Sequence, residues 1–536
     1  MKLLSKFTIA GLLAITAVVI VTNFQYLYTA PIANTYIWWR GDETWLMSQY
    51  DEFVRTGHYI NPLGPGSVFS QCSGLFFGSC YLTAALYGLP LLFIKCHTID
   101  AGRTITWIFA ILTLLSLWGI AKRHRVSPVV CAYGCLLLSS TLCFFITSHC
   151  ARSDMLVGLT VMTFTGCLPL IVEKHYINRE VLLGLLIPLS LLVNGHVLIH
   201  SFLMLCYLIW AVGCLKSRRS ILICTCVAAG GFVCLLIAQE ALLGSASLFG
   251  PLSGGPGMMP IMQILHPKSD IANFNGRLII INSWAPGILW VSIVLATTLL
   301  WARIRYKIKL SQMEQASRRL LISAALVAFS SIFLEFYQTR YFIYVLPTIV
   351  LAFLIVISHL VSLLPRSSVA ALASALSIGM AFGLWRYDID TTRMGNVGEI
   401  ITAANKTAVT DALATIHSWH KGRNDHSYKP RIFSTTAGQA ITMDDSCELI
   451  TPVIYIQPSD NSISQNNLWK RAKIDYAIVC NSARGQDWNE DDASIDSTAR
   501  SHSRIIFERI GPVSDIGRSY DPSGLKNLDT LIVYEF

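Results

Sequence analysis

About eleven apolar runs, each close to the 17–25 residues that a helix needs to cross a hydrocarbon core, are spaced along this chain and dominate what it can fold into. They fall at 7–28, 103–121, 127–147, 155–172, 181–196, 197–215, 220–238, 282–302, 319–335, 341–363 and 368–385. With 53% hydrophobic and 14% charged residues among 536, the chain is far from the roughly 25% charge of soluble domains. The sequence predicts a mainly α-helical polytopic membrane protein. Its net charge of +9 does not point to nucleic acid, because Lys and Arg cluster in short loops between runs.

Those clusters set an expected topology. Lys122-Arg123-His124-Arg125, Lys216 with Arg218-Arg219, and the basic stretch from Arg303 to Lys309 mark cytoplasmic loops. Counting from a cytoplasmic N-terminus, the loops holding Asp42, Asp154, His196, the 239–281 segment, Arg340 and the C-terminal tail all lie outside. The first run, preceded by Lys2 and Lys6, resembles a signal peptide but is longer than the usual 7–15-residue core, so it reads as an uncleaved anchor. The run 76–97 is apolar enough to span, yet spanning there would put Lys122–Arg125 outside. Its Gly78, Gly88 and Pro90 suit a broken or interfacial helix on the outer face.

From about Tyr387 the composition becomes that of a soluble domain. Residues 397–421 have helical spacing, and β-rich runs follow at Arg431–Ser434, Pro452–Gln457, Asp475–Cys480, Ile505–Phe507 and Leu531–Tyr534. The expectation is a multi-span membrane domain over 1–385 and a small extracytoplasmic α/β domain over 386–536. Most cysteines lie inside spans as small apolar fillers, and no CxxC or His-rich cluster has metal spacing. Cys447 and Cys480, in the tail, become a candidate disulfide if the tail is extracytoplasmic.

Ionisable groups at the ends of spans carry the functional argument, because acids within a span cost about 2.5–3.5 kcal/mol on insertion scales. Asp42-Glu43 follows the first run, and Asp154 sits between two later ones in Ala151-Arg152-Ser153-Asp154-Met155. Transfer of a glycosyl group to a hydroxyl needs a carboxylate to take the acceptor proton and positive groups to stabilise a leaving phosphate. Asp42 is the candidate base, with Glu43 beside it; Asp154 is placed to orient the acceptor, help hold a metal or tune Asp42. Read alone, Asp42 and Glu43 fit loop solvation or a helix cap better than catalysis. Arg340, in Glu335-Phe336-Tyr337-Gln338-Thr339-Arg340-Tyr341, fits a bidentate contact to a carrier phosphate or an interfacial aromatic belt. His196 and His200 are one helical turn apart with no neighbouring acid to complete a metal motif. His149, His58 and Glu240 are further outer-side candidates.

Taken together these stretches resemble the GT-C glycosyltransferases, in particular the bacterial protein O-mannosyltransferase and aminoarabinose-transferase relatives. Asp42-Glu43 with Gly57 looks like the family's first-loop acidic motif, and Ala101-Gly102-Arg103 like the Arg that opens its next membrane helix. Ala151-Arg152-Ser153-Asp154-Met155 looks like its second acidic motif, and Thr339-Arg340-Tyr341-Phe342 with Pro347 like its late Arg-Tyr span. The resemblance covers about 1–385 and implies a polyprenyl-phosphate-linked sugar donor used on the outer side of the cell's inner membrane, with inversion at the anomeric carbon. The acceptor would be a lipid, glycan or protein. Asp42, Glu43 and Asp154 would be the catalytic acids, and Arg152, Arg340, Tyr341, Arg103 and His196 the substrate contacts. The relatives' Lys-Pro-Pro or His-Pro-Pro stretch is missing, with Ser70-Gln71-Cys72-Ser73-Gly74 roughly in its place, so a divalent metal is not assigned. A transporter or flippase would show symmetry-related repeats and broken helices near the midplane, and neither is visible in the sequence. A sensor working through its tail would not need eleven spans.

Overall fold

The structure, a computed structural model, describes residues 2–27, 47, 86–93, 98–173, 180–185, 217–243, 285–333, 339–423, 429–434, 447–450, 474–482, 503–514 and 525–536. Ten helices are described in chain order: α1 (Lys2–Gln25), α2 (Thr98–Arg123), α3 (Pro128–Ser139), α4 (Leu142–Ser148), α5 (Asp154–Glu173), α6 (Arg218–Leu243), α7 (Pro286–Tyr306), α8 (Gln315–Phe333), α9 (Leu346–Leu363) and α10 (Arg366–Lys421). Among the described residues six helices are long and apolar enough to cross a membrane, or seven if α3 and α4 count as one span. The expected spans at 181–215 lie mostly outside the described residues.

The α3–α4 pair bends by 69°. The break falls at Ser140-Thr141, inside what the sequence presents as one uninterrupted run. Thr141 caps α4 by accepting from the Phe144 amide at 3.2 Å. The hydroxyls of Ser139, Ser140 and Thr141 donate to the carbonyls of Leu136, Leu137 and Leu138, so the broken turn leaves these groups satisfied away from water. α5 carries its own interruption at Pro169. One turn earlier, the Gly166 carbonyl meets the buried ring of His124 at 3.0 Å.

Two ends of the bundle are chemically distinct. At one, the exposed basic loop after α2 meets the loop before α8 through Arg125 and Glu314, 3.4 Å apart. α3 begins at that end, and α4 finishes in the loop that leads to Asp154. Between the ends lies an apolar core to which Leu117, Phe145, Met162, Leu320, Leu351 and Leu354, among others, contribute.

The expected span 341–363 begins differently from the apolar pattern. Thr339–Tyr344 is a 3₁₀ helix, and α9 starts only at Leu346, with Pro347 in its first turn where a missing N–H costs nothing. The described part of 76–97 is a helical turn at 86–88 followed by a 3₁₀ turn, Leu89–Leu92, with Pro90 in its first turn. α10 is continuous from Arg366 to Lys421, passing through position 386 where the composition changes. Its buried residues Ala408, Val409, Ala412 and Ile416 pack on a five-stranded sheet of β1 (Arg431–Ser434), β2 (Glu448–Ile450), β3 (Tyr476–Ser482), β4 (Arg504–Ser514) and β5 (Leu525–Glu535). The order is β2-β1-β3-β5-β4, parallel over the first three strands and antiparallel over the last three. The expected strand Pro452–Gln457 lies outside the described residues. Cys447, 3.7 Å from the His417 ring, is not half of a disulfide, because the sheet register sets it level with Ile474, two strands across and six positions along β3 from Cys480.

Candidate functional site

The site is built around Asp154, the first residue of α5, which is 1% exposed. A helix N-terminus favours a carboxylate there. Each of its oxygens has a partner. Arg152 Nε donates to Oδ2 at 2.9 Å, and the Tyr344 hydroxyl donates to Oδ1. Tyr344 is delivered by the 3₁₀ turn, which lies so close to α5 that a Cβ on Gly158 would sit 2.6 Å from the Ile343 carbonyl. Glycine at 158 is what lets that turn approach.

The loop from His149 to Ser153 is held from several sides. The Tyr87 hydroxyl donates to the Arg152 carbonyl at 2.7 Å and lies 2.8 Å from Thr106 Oγ1 on α2. Next to it, Gly102 makes room for Met47: a Cβ there would lie 2.5 Å from the Met47 sulfur and 2.7 Å from the Ala151 Cβ. The first loop therefore reaches this loop at a buried contact. His149 is fully buried, with Nε2 2.6 Å from the Asn23 carbonyl and Nδ1 2.6 Å from the Phe145 carbonyl. Burial pushes its pKa down to about 4, against the raising effect of those two carbonyls, and the charge of Arg103 lowers it further.

Of the residues singled out from sequence, Arg152 and Asp154 form an ion pair. Arg103 is buried in the first turns of α2 and donates to the Leu27 carbonyl at 3.4 Å, at the end of α1. The backbones of Arg340 and Tyr341 belong to the same 3₁₀ turn as Tyr344; their side chains lie outside the described ones. Asp42, Glu43, His196, His200, His58 and the Glu240 side chain also lie outside the described residues. Tyr344, Tyr87, Thr106 and Asn23 were not found by sequence reasoning. The signal available was each polar side chain standing at the end of an apolar run, as Asn23 does within 7–28. Among the described residues no group of three His, Cys, Asp or Glu side chains is placed to hold a metal ion.

No protein-family model and no curated protein matches the sequence. The structure is similar to that of ArnT from Cupriavidus metallidurans in the apo state, at a TM-score of 0.51 and 12% identity over 98% of each chain. The chain has a GT-C fold. Other GT-C glycosyltransferases align less closely. The Archaeoglobus fulgidus oligosaccharyltransferase in its apo form gives a TM-score of 0.47 at 10% identity, over 87% of this chain and 69% of that one. The arabinofuranosyltransferase AftD from mycobacteria gives 0.47 at 11% identity, over 97% and 39%. Six described helices long and apolar enough to cross a membrane make this a multi-pass membrane protein.

Proposed function

We propose that this protein is a membrane glycosyltransferase that moves a sugar from a polyprenyl-phosphate carrier to an acceptor hydroxyl on the outer face of the inner membrane. The observation that carries this reading is the buried, paired Asp154 at a helix start, within a GT-C fold that matches ArnT over nearly its whole length. A charge kept at the edge of an apolar bundle is expensive and is retained for a purpose. A fold hosts many activities, and here the site residues supply the chemistry.

In the proposed reaction the acceptor oxygen attacks the anomeric carbon as the bond to the carrier phosphate breaks. The acceptor proton passes to Asp42, and polyprenyl phosphate leaves with the bonding electrons. A single displacement inverts the anomeric carbon. Asp154, with both oxygens already accepting hydrogen bonds, suits orientation and charge tuning better than proton abstraction. Glu43 stands beside the base. Arg340 suits the carrier phosphate, since a guanidinium matches it bidentately. Tyr341, Arg152, Arg103 and His196 shape the substrate sites. Packing of Met47 beside Ala151 supports a site shared by the first loop and the Asp154 loop, since five residues of chain reach at most about 18 Å. The acceptor is a lipid, glycan or protein, and the region 386–536 is an extracytoplasmic accessory domain on the membrane domain 1–385.

Mass spectrometry of outer-leaflet glycolipids and glycoproteins from cells with and without the gene tests this. A sugar substituent lost with the gene, and restored by the parent but not by Asp42→Asn, is the expected result. Identical glycan profiles would overturn the reading.

A further inference from the structure

Asn23, near the end of α1, is 3% exposed and uses two separate groups on two separate elements. Its main-chain carbonyl faces His149 Nε2 at 2.6 Å, and its side-chain Oδ1 accepts from the Tyr387 hydroxyl of α10. The Phe145 ring fills the space between, 4.3 Å from the His149 ring and 6.2 Å, edge to face, from that of Tyr387. His149 is the residue from which the chain leaves α4 and turns towards Asp154. The carbonyls of Asn23 and Phe145 are both acceptors, so a neutral imidazole donates to one only. With Nε2–H on Asn23, Nδ1 is an acceptor 3.0 Å from the Ser148 hydroxyl, whose one proton has the choice of Nδ1 and the Phe145 carbonyl at 2.8 Å.

We infer that Asn23, His149 and Tyr387 are positioning residues, a clamp that fixes where the Asp154 loop stands relative to α1 and α10. None of the three has a place in the proton or phosphate steps proposed above. Each satisfies the polar groups of the next in surroundings that exclude water, where an unmet donor or acceptor costs more than the bond itself contributes. Their effect passes through the backbone of 149–153 to Arg152 and Asp154. On the same helix Arg386 pairs with Asp390 at 2.8 Å, one turn on, with Asp390 itself buried. The same helix continues to the residues that pack on the sheet, so the clamp joins the sheet's helix to the Asp154 loop. The catalytic consequence rests on the transferase reading; the structural one does not.

The test is hydrogen–deuterium exchange of the full chain in lipid nanodiscs, followed over 150–153, together with sugar-transfer kinetics on the same preparations. Tyr387→Phe removes the donor to Asn23 and should speed exchange in this loop about tenfold. It should lower kcat while leaving KM for the carrier-linked sugar unchanged. Faster exchange in a protein whose parent transfers no sugar would keep the clamp and remove the transferase reading. Unchanged exchange overturns the clamp whatever the activity. Faster exchange with an unaltered kcat overturns its positioning role. If Tyr387→Phe does not fold, His149→Gln and His149→Phe decide. The Gln amide can still donate to the Asn23 carbonyl and should stay near the parent, whereas Phe should loosen the loop; equal exchange in the two would refute the inference.

Discussion

The Tyr344 hydroxyl donates to the Asp154 carboxylate across 190 positions of sequence, tying the turn before α9 to the first residue of α5. With Arg152 on the other oxygen, the acid is fixed in place by residues from two loops at one end of the bundle. Such a carboxylate is suited to orient a substrate and to set the local charge.

Altering one partner and the acid itself should separate these contributions. Tyr344→Phe loses a hydrogen bond to a charged group, worth about 1.5–3 kcal/mol. Asp154→Asn removes the negative member of the Arg152–Asp154 pair, and breaking a buried pair costs about 3–5 kcal/mol. Thermal unfolding in detergent should therefore show a larger drop in Tm for Asp154→Asn. The reverse order would mean that the ion pair does not hold the loop.

The approach of the 3₁₀ turn to α5 gives a second expectation. A methyl group at Gly158 meets the Ile343 main-chain carbonyl, which cannot rotate away, so Gly158→Ala should destabilise by about 1–3 kcal/mol and reduce transfer by shifting Tyr344. At Gly119 a Cβ meets nothing within 4 Å. There, Gly119→Ala should be neutral or stabilising by up to about 1 kcal/mol. Equal effects at the two positions would show that the turn is not packed on α5 in this way.

His149 sets a pH dependence. The folded protein holds its imidazole neutral, with a pKa lowered to about 4, whereas an unfolded chain gives about 6.5. Its contribution to stability is complete above about 6.5 and is lost as pH falls from there towards 4. His149→Gln does not titrate, so Tm of the parent should fall more steeply than that of the variant across this window. Parallel curves would contradict the burial of a neutral ring.

Topology provides a fourth check. Reporter cysteines in place of Arg123 and Lys307 should be labelled only from the cytoplasmic side, and reporters at Asp42 and Arg340 only from the outside. The Arg125–Glu314 contact already brings the two basic loops to one end of the bundle. Asp42 and Arg340 on opposite sides would end the shared-site account.

The helices were largely legible because burial in lipid requires long apolar runs, and the sequence has them where the structure places α1, α2, α5, α7 and α9. The bend between α3 and α4 was not. Ser140 and Thr141 are small and satisfy their own neighbourhood, so average hydropathy passes over them. The composition change near Tyr387 read as the start of a separate soluble domain. It marks a change of surroundings, and α10 runs straight through it. In the site, Arg152 and Asp154 stood out because charge is rare there. Asn23, Tyr87, Tyr344 and Tyr387 did not, since a single hydroxyl or amide at the end of an apolar run acquires meaning only from a partner far away in sequence.

The proposed reaction turns on transfer of the acceptor proton to a carboxylate of the first outer loop. It is tested most directly by transfer from a polyprenyl-phosphate sugar to extracted acceptor with purified parent, Asp42→Asn, Glu43→Gln and Asp154→Asn. Asp42→Asn should fold and insert like the parent yet lose about 10²–10⁴-fold in rate, the usual contribution of a general base. Glu43→Gln should lose least and Asp154→Asn should fall between them. Transfer by Asp42→Asn at near the parent rate would contradict the account.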